Sequence, residues 1–161
     1  MKLTNMTLKE LYEIDDLFNL KEGDRISKEN RNNLFTGKQV NNTPQKGINW
    51  IGEYPDIKLI ILTSKLDSGY KDQWIDQYRY KFCYYLMINH RHTSKSKLEG
   101  NRKENLILTE YKRHNAPILV LLNPGKAEKE LTVAGWFKVQ KLVHSDKINH
   151  DFFDSVELIR N

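Results

Sequence analysis

Two polar stretches concentrate side chains that can hold a phosphate or read the edge of a base. The first holds Arg25, Ser27, Lys28, Asn30, Arg31, Asn33 and Lys38. The second holds His90, Arg91, His92, Ser94, Lys95, Lys97, Asn101, Arg102 and Lys103. Arg and Lys neutralise phosphates, and some of the Arg could reach guanine edges. Asn, Ser and His can offer donors and acceptors to other bases. A solvated loop rich in Asn and Lys has the same composition, so both interpretations stand for each stretch.

Other chemistries find less support. Pro55-Asp56 with Glu110-Tyr111-Lys112 has the residue types of a PD…ExK nuclease centre, but the halves are far apart and Glu110 falls in a helical pattern. His90-x-His92 has no carboxylate or thiol beside it to complete a metal set. No Gly-x-Ser-x-Gly, Walker loop or Gly-x-Gly-x-x-Gly occurs. Cys83 is the single cysteine, which excludes an internal disulfide framework and a multi-Cys zinc site, and points to a reducing, cytoplasmic setting. The expectation is a chain with no catalytic residues, cofactor or metal of its own. Among the aromatics, Trp50, Trp74, Tyr78, Tyr80 and Trp136 are candidates to stack on an extruded base, although alternating aromatics in a strand are more often core or cross-strand pairs.

The elements that must position these side chains follow from periodicity. Thr7-Leu8-Lys9-Glu10 reads as a capping box opening a helix whose apolar face runs from Leu8 to Phe18. Residues 24–45 are polar and poorly periodic. Gly47–Gly52 reads as a short strand. Leu59–Leu62 and Ile118–Leu122 are continuous apolar runs, as in strands covered on both faces. Tyr78–Tyr84 alternates aromatic and basic residues, the pattern of a half-buried strand. It leads into the second polar stretch, after which a short helix is expected up to His114. Residues 131–143 form a long strand with a bulge or bend at Gly135, and 154–159 an edge strand.

The 161 residues fit one domain, with a helical lead over 1–23 and a barrel over 24–161. The net charge is +5, and residues 1–80 are balanced, so the excess lies in the second half. Charge concentrated in this way favours a phosphate-bearing partner through counterion release. No apolar run approaches the ~20 residues that span a bilayer, and the first residues lack the apolar core of a signal peptide.

The ordered pattern Gly47-Ile48-Asn49, Ile57–Thr63, Tyr70-x-Asp72-x-Trp74, Tyr78–Tyr84, Asn101–Asn105, Ala116–Val120 and Gly135-Trp136-Phe137 resembles the DNA-recognition domains of bacterial restriction enzymes. Two related types are similar. One is the SRA-like, PUA-type barrel of McrA-like modification-dependent endonucleases. The other is the pseudobarrel of EcoRII-type and plant B-three domains, as in LlaJI-like, McrB-related specificity subunits. Where the McrA-like group has a Tyr-Thr-Gly-Glu-type segment, this chain has Tyr78-Arg79-Tyr80-Lys81-Phe82, which favours the pseudobarrel type. The resemblance implies an α+β fold: a mostly antiparallel β-pseudobarrel with short flanking helices. It also implies sequence-specific binding of double-stranded DNA, with the two polar stretches as arms clamping the duplex. Cleavage would then fall to a nuclease or motor domain or subunit elsewhere. The alternative it implies is a modified-cytosine reader that flips the base into an SRA-like pocket.

Overall fold

The computed structural model describes residues 17–28, 40–41, 47–53, 55–65, 72–83, 107–125, 127, 129–144 and 153–161. Among them nine strands form one sheet: β1 (Arg25–Ser27), β2 (Val40–Asn41), β3 (Ile48–Glu53), β4 (Asp56–Lys65), β5 (Gln73–Trp74), β6 (Arg79–Cys83), β7 (Ile118–Asn123), β8 (Glu130–His144) and β9 (Phe153–Arg160). Their order is β2-β3-β4-β7-β8-β9-β6-β5, with β1 paired to β8 off this path. Every pairing is antiparallel except β4 with β7. Among the described residues helix occurs at 17–18, 28, 107–109 and α1 (Tyr111–His114), and the fold is α+β and dominated by antiparallel strands. No helix among the described residues is long and apolar enough to cross a membrane.

The sheet curls on itself, and the side chains show how. Ile60 and Leu62 of β4 point into a core shared with Ile48 and Trp50 of β3, Tyr80 and Phe82 of β6, Phe137 of β8 and Leu158 of β9. Strands from both ends of the sheet therefore line one interior, which Ile107 and Leu108 help to fill. Leu59 and Ile61 point the other way, into a second cluster with Leu119 and Leu121 of β7 and with Leu17, Leu20 and Ile26. This explains the unbroken apolar runs in β4 and β7: a parallel pair covered on both faces needs apolar residues at every position. Truncating Phe137 to Ala would cost about 3–5 kcal/mol, because a ring of that volume leaves a cavity rigid neighbours cannot fill.

The Gly135 bend is present. The register slips between Val120 and Leu121 opposite it, and its φ is 130°. The turn after the short helix is fixed by His114. Ala116 N–H donates to its Nδ1 (3.0 Å), so the ring proton sits on Nε2 and is donated to Ile107 O (2.7 Å). Asn115 between them takes the left-handed conformation, φ 50°.

Structure and expectation part in two places. Residues 24–45, read as polar and poorly periodic, contain two short strands: Arg25–Ser27 pairs with β8 and Val40–Asn41 with β3. Ile26 supplies the apolar contact that makes this possible, being buried in the outer cluster. The last strand is not an edge. β9 lies between β8 and β6, and its Val156 and Leu158 are fully buried. A segment with two apolar side chains facing one way serves equally well inside a sheet, because backbone groups do the pairing on both sides.

Candidate nucleic-acid interface

The described part of the first polar stretch sits on and just after β1. Arg25 is exposed and opposite Thr132, and Ser27 is half-buried and opposite Glu130. Lys28 closes the strand, its Nζ donating to Gly125 O at 2.6 Å in the turn after β7. Asn30, Arg31, Asn33 and Lys38 lie outside the described residues, as do all of His90, Arg91, His92, Ser94, Lys95, Lys97, Asn101, Arg102 and Lys103.

The strand ends next to these stretches are described. Lys28 meets the turn beyond Asn123, and Asn123 is the register partner of Lys65 at the end of β4. Ser64, next to Lys65, touches Tyr80 of β6, and the second stretch follows once β6 ends at Cys83. A Cβ placed on Gly47, just before β3, would meet Phe82 Cζ at 3.7 Å and Thr63 O at 3.1 Å. In the sheet register Ser27 lies opposite Glu130 at the start of β8, whereas Cys83 lies opposite Ser155, itself the partner of Val143 near the end of β8.

Beside the end of β4 sits a hydrogen-bonded relay. Ser64 Oγ donates to Asp72 Oδ2 at 2.8 Å, and Ser64 Oγ and Tyr80 Oη lie 2.5 Å apart. The serine proton is committed to the carboxylate, so Tyr80 donates to Ser64. Ser64 and Tyr80 are fully buried, whereas Asp72 is half-buried. A buried hydroxyl pair feeding a less buried carboxylate fixes the direction of that acceptor by interior packing. Neither Ser64 nor Asp72 stands out in sequence as a site residue. Tyr70-x-Asp72-x-Trp74 carries Asp72, but nothing local pairs it with Ser64, and only folding brings β4 to it.

The proposed stacking aromatics divide. Tyr80 and Trp50 are core residues. Trp136 is held on the outer side, stacked on Phe18 at 5.3 Å with Nε1–H donated to Leu20 O at 2.8 Å. Trp74 meets the Tyr80 ring edge-on at 5.1 Å. Tyr78 is 58% exposed, at the tip of the β5–β6 hairpin. That tip is rigid: Asp76 accepts from Tyr78 N–H (2.8 Å) and Arg79 N–H (2.9 Å), and pairs with the Arg79 guanidinium at 2.8 Å. The Tyr78 amide, followed by the Arg79 side chain, holds the Asp76 carboxyl below its ordinary value.

Arg79 and Lys81 alternate with the inward Tyr80 and Phe82, as the period-2 pattern requires. On β9, Glu157 meets Arg79 at 3.8 Å and Lys141 at 3.0 Å. The nuclease residue types are used otherwise. Asp56 opens β4 on the surface, and Glu110 pairs with Arg113 at 3.1 Å. Among the described residues no three His, Cys, Asp or Glu gather as a metal site.

No protein-family model matches the chain, and no curated protein matches its sequence. Solved structures do match. The DNA-recognition domain of the cytosine modification-dependent restriction endonuclease LpnPI superimposes with TM-score 0.58 at 13% identity, over 87% of this chain and 71% of that one. The SUVH5 SRA domain, solved with hemi-methylated CG DNA, gives 0.61 at 15% identity, over 89% of each chain. KRYPTONITE, solved with mCHG DNA, gives 0.57 at 15% identity over 96% of this chain, which spans only 37% of that one. These similar structures are of the SRA-like type, the one the Tyr78–Phe82 segment argued against. At such identities the likeness is one of fold.

Proposed function

We propose that this chain binds double-stranded DNA as a recognition module and reads a modified cytosine swung out of the helix. The observation that carries the reading is the fold shared with the LpnPI recognition domain and the SUVH5 SRA domain over nearly nine-tenths of the chain. The Ser64–Asp72–Tyr80 relay supplies the chemistry. Cytosine presents an exocyclic N4 amine that needs an acceptor, and a carboxylate aimed by buried hydroxyls meets that need. A base inside the duplex cannot reach such a recessed acceptor, so the reading requires extrusion. The polar stretches would grip the flanking phosphates, and Arg91 and Arg102 would be among the side chains that do so. Cleavage in a restriction system would belong to another domain or subunit.

A second reading is direct readout of an unmodified sequence by the two polar arms. The Tyr78–Phe82 segment favours it. One experiment separates the two. Duplexes carrying cytosine, 5-methylcytosine or 5-hydroxymethylcytosine, with 2-aminopurine beside the target, are titrated across salt concentrations. Tighter binding of a modified duplex with a rise in 2-aminopurine fluorescence is the expected result. Sequence-dependent binding with no modification preference and no fluorescence change supports direct readout. Equal, weak affinity for every duplex overturns both.

A further inference from the structure

Arg160, at the end of β9, points inward and is nearly buried, with 18% side-chain exposure. Its guanidinium carbon lies 5.2 Å from the Trp74 centroid and 5.2 Å from that of Phe137, two rings that are themselves neighbours at 6.0 Å. The donors are occupied as well. Nη1 donates to Ala134 O at 2.5 Å, and Nε and Nη2 both donate to Gln77 O at 3.3 Å. Glu22 closes the outer side at 3.2 Å from Nη1. The seat exists because residue 135 is glycine: a Cβ there would lie 2.6 Å from Arg160 Nη1. A planar cation stacked on aromatic faces, with its fork satisfied by carbonyls, is held in one orientation, which an ammonium cannot reproduce.

What this clamp holds is Trp74. The indole stands edge-on to Tyr80 at 5.1 Å and lies 6.0 Å from Phe137. Trp74 is two residues from Asp72, and Tyr80 donates to the Ser64 hydroxyl that holds Asp72. Both routes from Arg160 therefore end on the same carboxylate, one along the β5 backbone and one through the Tyr80 ring. Two-residue β5 has little ladder of its own to fix that position.

We infer that Arg160 is a positioning residue for the Asp72 site: by clamping Trp74 between itself and the barrel interior, it sets the direction in which Asp72 presents its carboxylate. The inference rests on the reading of Asp72 as the acceptor for a flipped cytosine. Arg160 touches no base. Its removal acts on discrimination and leaves non-specific attraction to phosphates in place.

The test uses the full chain with Arg160→Lys, Arg160→Gln, Trp74→Leu and, as a control, Glu22→Ala, which removes the outer ion pair but not the stacked seat. Two readouts are taken: binding to 5-methylcytosine against unmodified duplex, and the Asp72 side-chain carboxyl resonance followed without DNA. Arg160→Lys and Arg160→Gln should lower the modified-over-unmodified preference about tenfold, keep unmodified-duplex affinity within about threefold, and shift the Asp72 resonance. Glu22→Ala should do neither. A folded Arg160→Gln with unchanged preference and unchanged Asp72 resonance overturns the inference. If the Arg160 variants do not fold, a folded Trp74→Leu with both readouts unchanged overturns it equally. If wild-type protein has no modified-base preference, the functional reading fails, and the Asp72 resonance alone still decides the clamp.

Discussion

Ser64 on β4 and Tyr80 on β6 meet through hydroxyl oxygens 2.5 Å apart, although β7, β8 and β9 lie between their strands in the sheet. That contact spans the barrel interior, so it links closure of the sheet to the placement of Asp72. Ser64→Ala leaves Tyr80 Oη and the Asp72 carboxylate without the hydroxyl that joins them, inside a core that admits little water. It should destabilise the protein by about 1–3 kcal/mol in denaturant unfolding. Tyr80→Phe should cost a similar amount, and the double variant less than the sum of the two, since they break one network.

Asp72→Asn keeps an oxygen that Ser64 can still donate to, so the fold should survive. The site loses its charge, and an amide nitrogen can take the place of an acceptor facing the cytosine amine. Discrimination for modified duplex should fall by about 1–3 kcal/mol, measured as the ratio of dissociation constants for modified and unmodified DNA. A variant that retains the wild-type ratio would remove Asp72 from the site.

Arg91→Ala together with Arg102→Ala tests the second polar stretch. If each side chain neutralises one phosphate, the slope of log affinity against log salt should become shallower by about 2. An unchanged slope would place these cations away from the DNA.

Asp76 predicts a pH dependence at the β5–β6 tip. Its native pKa lies below the ordinary 3.8 because Tyr78 N–H and Arg79 bind its charged form. A depressed carboxyl pKa contributes stability that is full above the ordinary value and is lost as pH falls below it, through the native value. Exchange of the Tyr78 amide should therefore accelerate below about pH 4, and Asp76→Ala should abolish that dependence.

Gly52 ends the regular part of β3 with φ 104°, and a Cβ there would lie 2.5 Å from Asp56 O in the facing chain. Backbone cannot move aside as a flexible side chain can. Gly52→Ala should cost about 1–3 kcal/mol in thermal or denaturant unfolding, with β3–β4 pairing the first to open.

The sequence by itself determined the elements whose local pattern is strong. The apolar runs of β4 and β7 require cover on both faces, and the two cores provide it. Tyr80 and Phe82 alternate with Arg79 and Lys81 because a strand allows nothing else, and Gly135 marks the bend where the register slips. The mostly antiparallel α+β architecture was legible for the same reason: period and turn residues act over a few positions. The tertiary structure alone decided what depends on distant contacts. The partners of β9, the burial of Ile26 beside polar Arg25 and Ser27, and the Arg160 seat over Trp74 have no local signature. The Ser64–Asp72–Tyr80 relay has none either, because residues 8 and 16 apart become neighbours only when the sheet closes. Periodicity reports which face a side chain takes, and curvature of the whole sheet decides what it meets there.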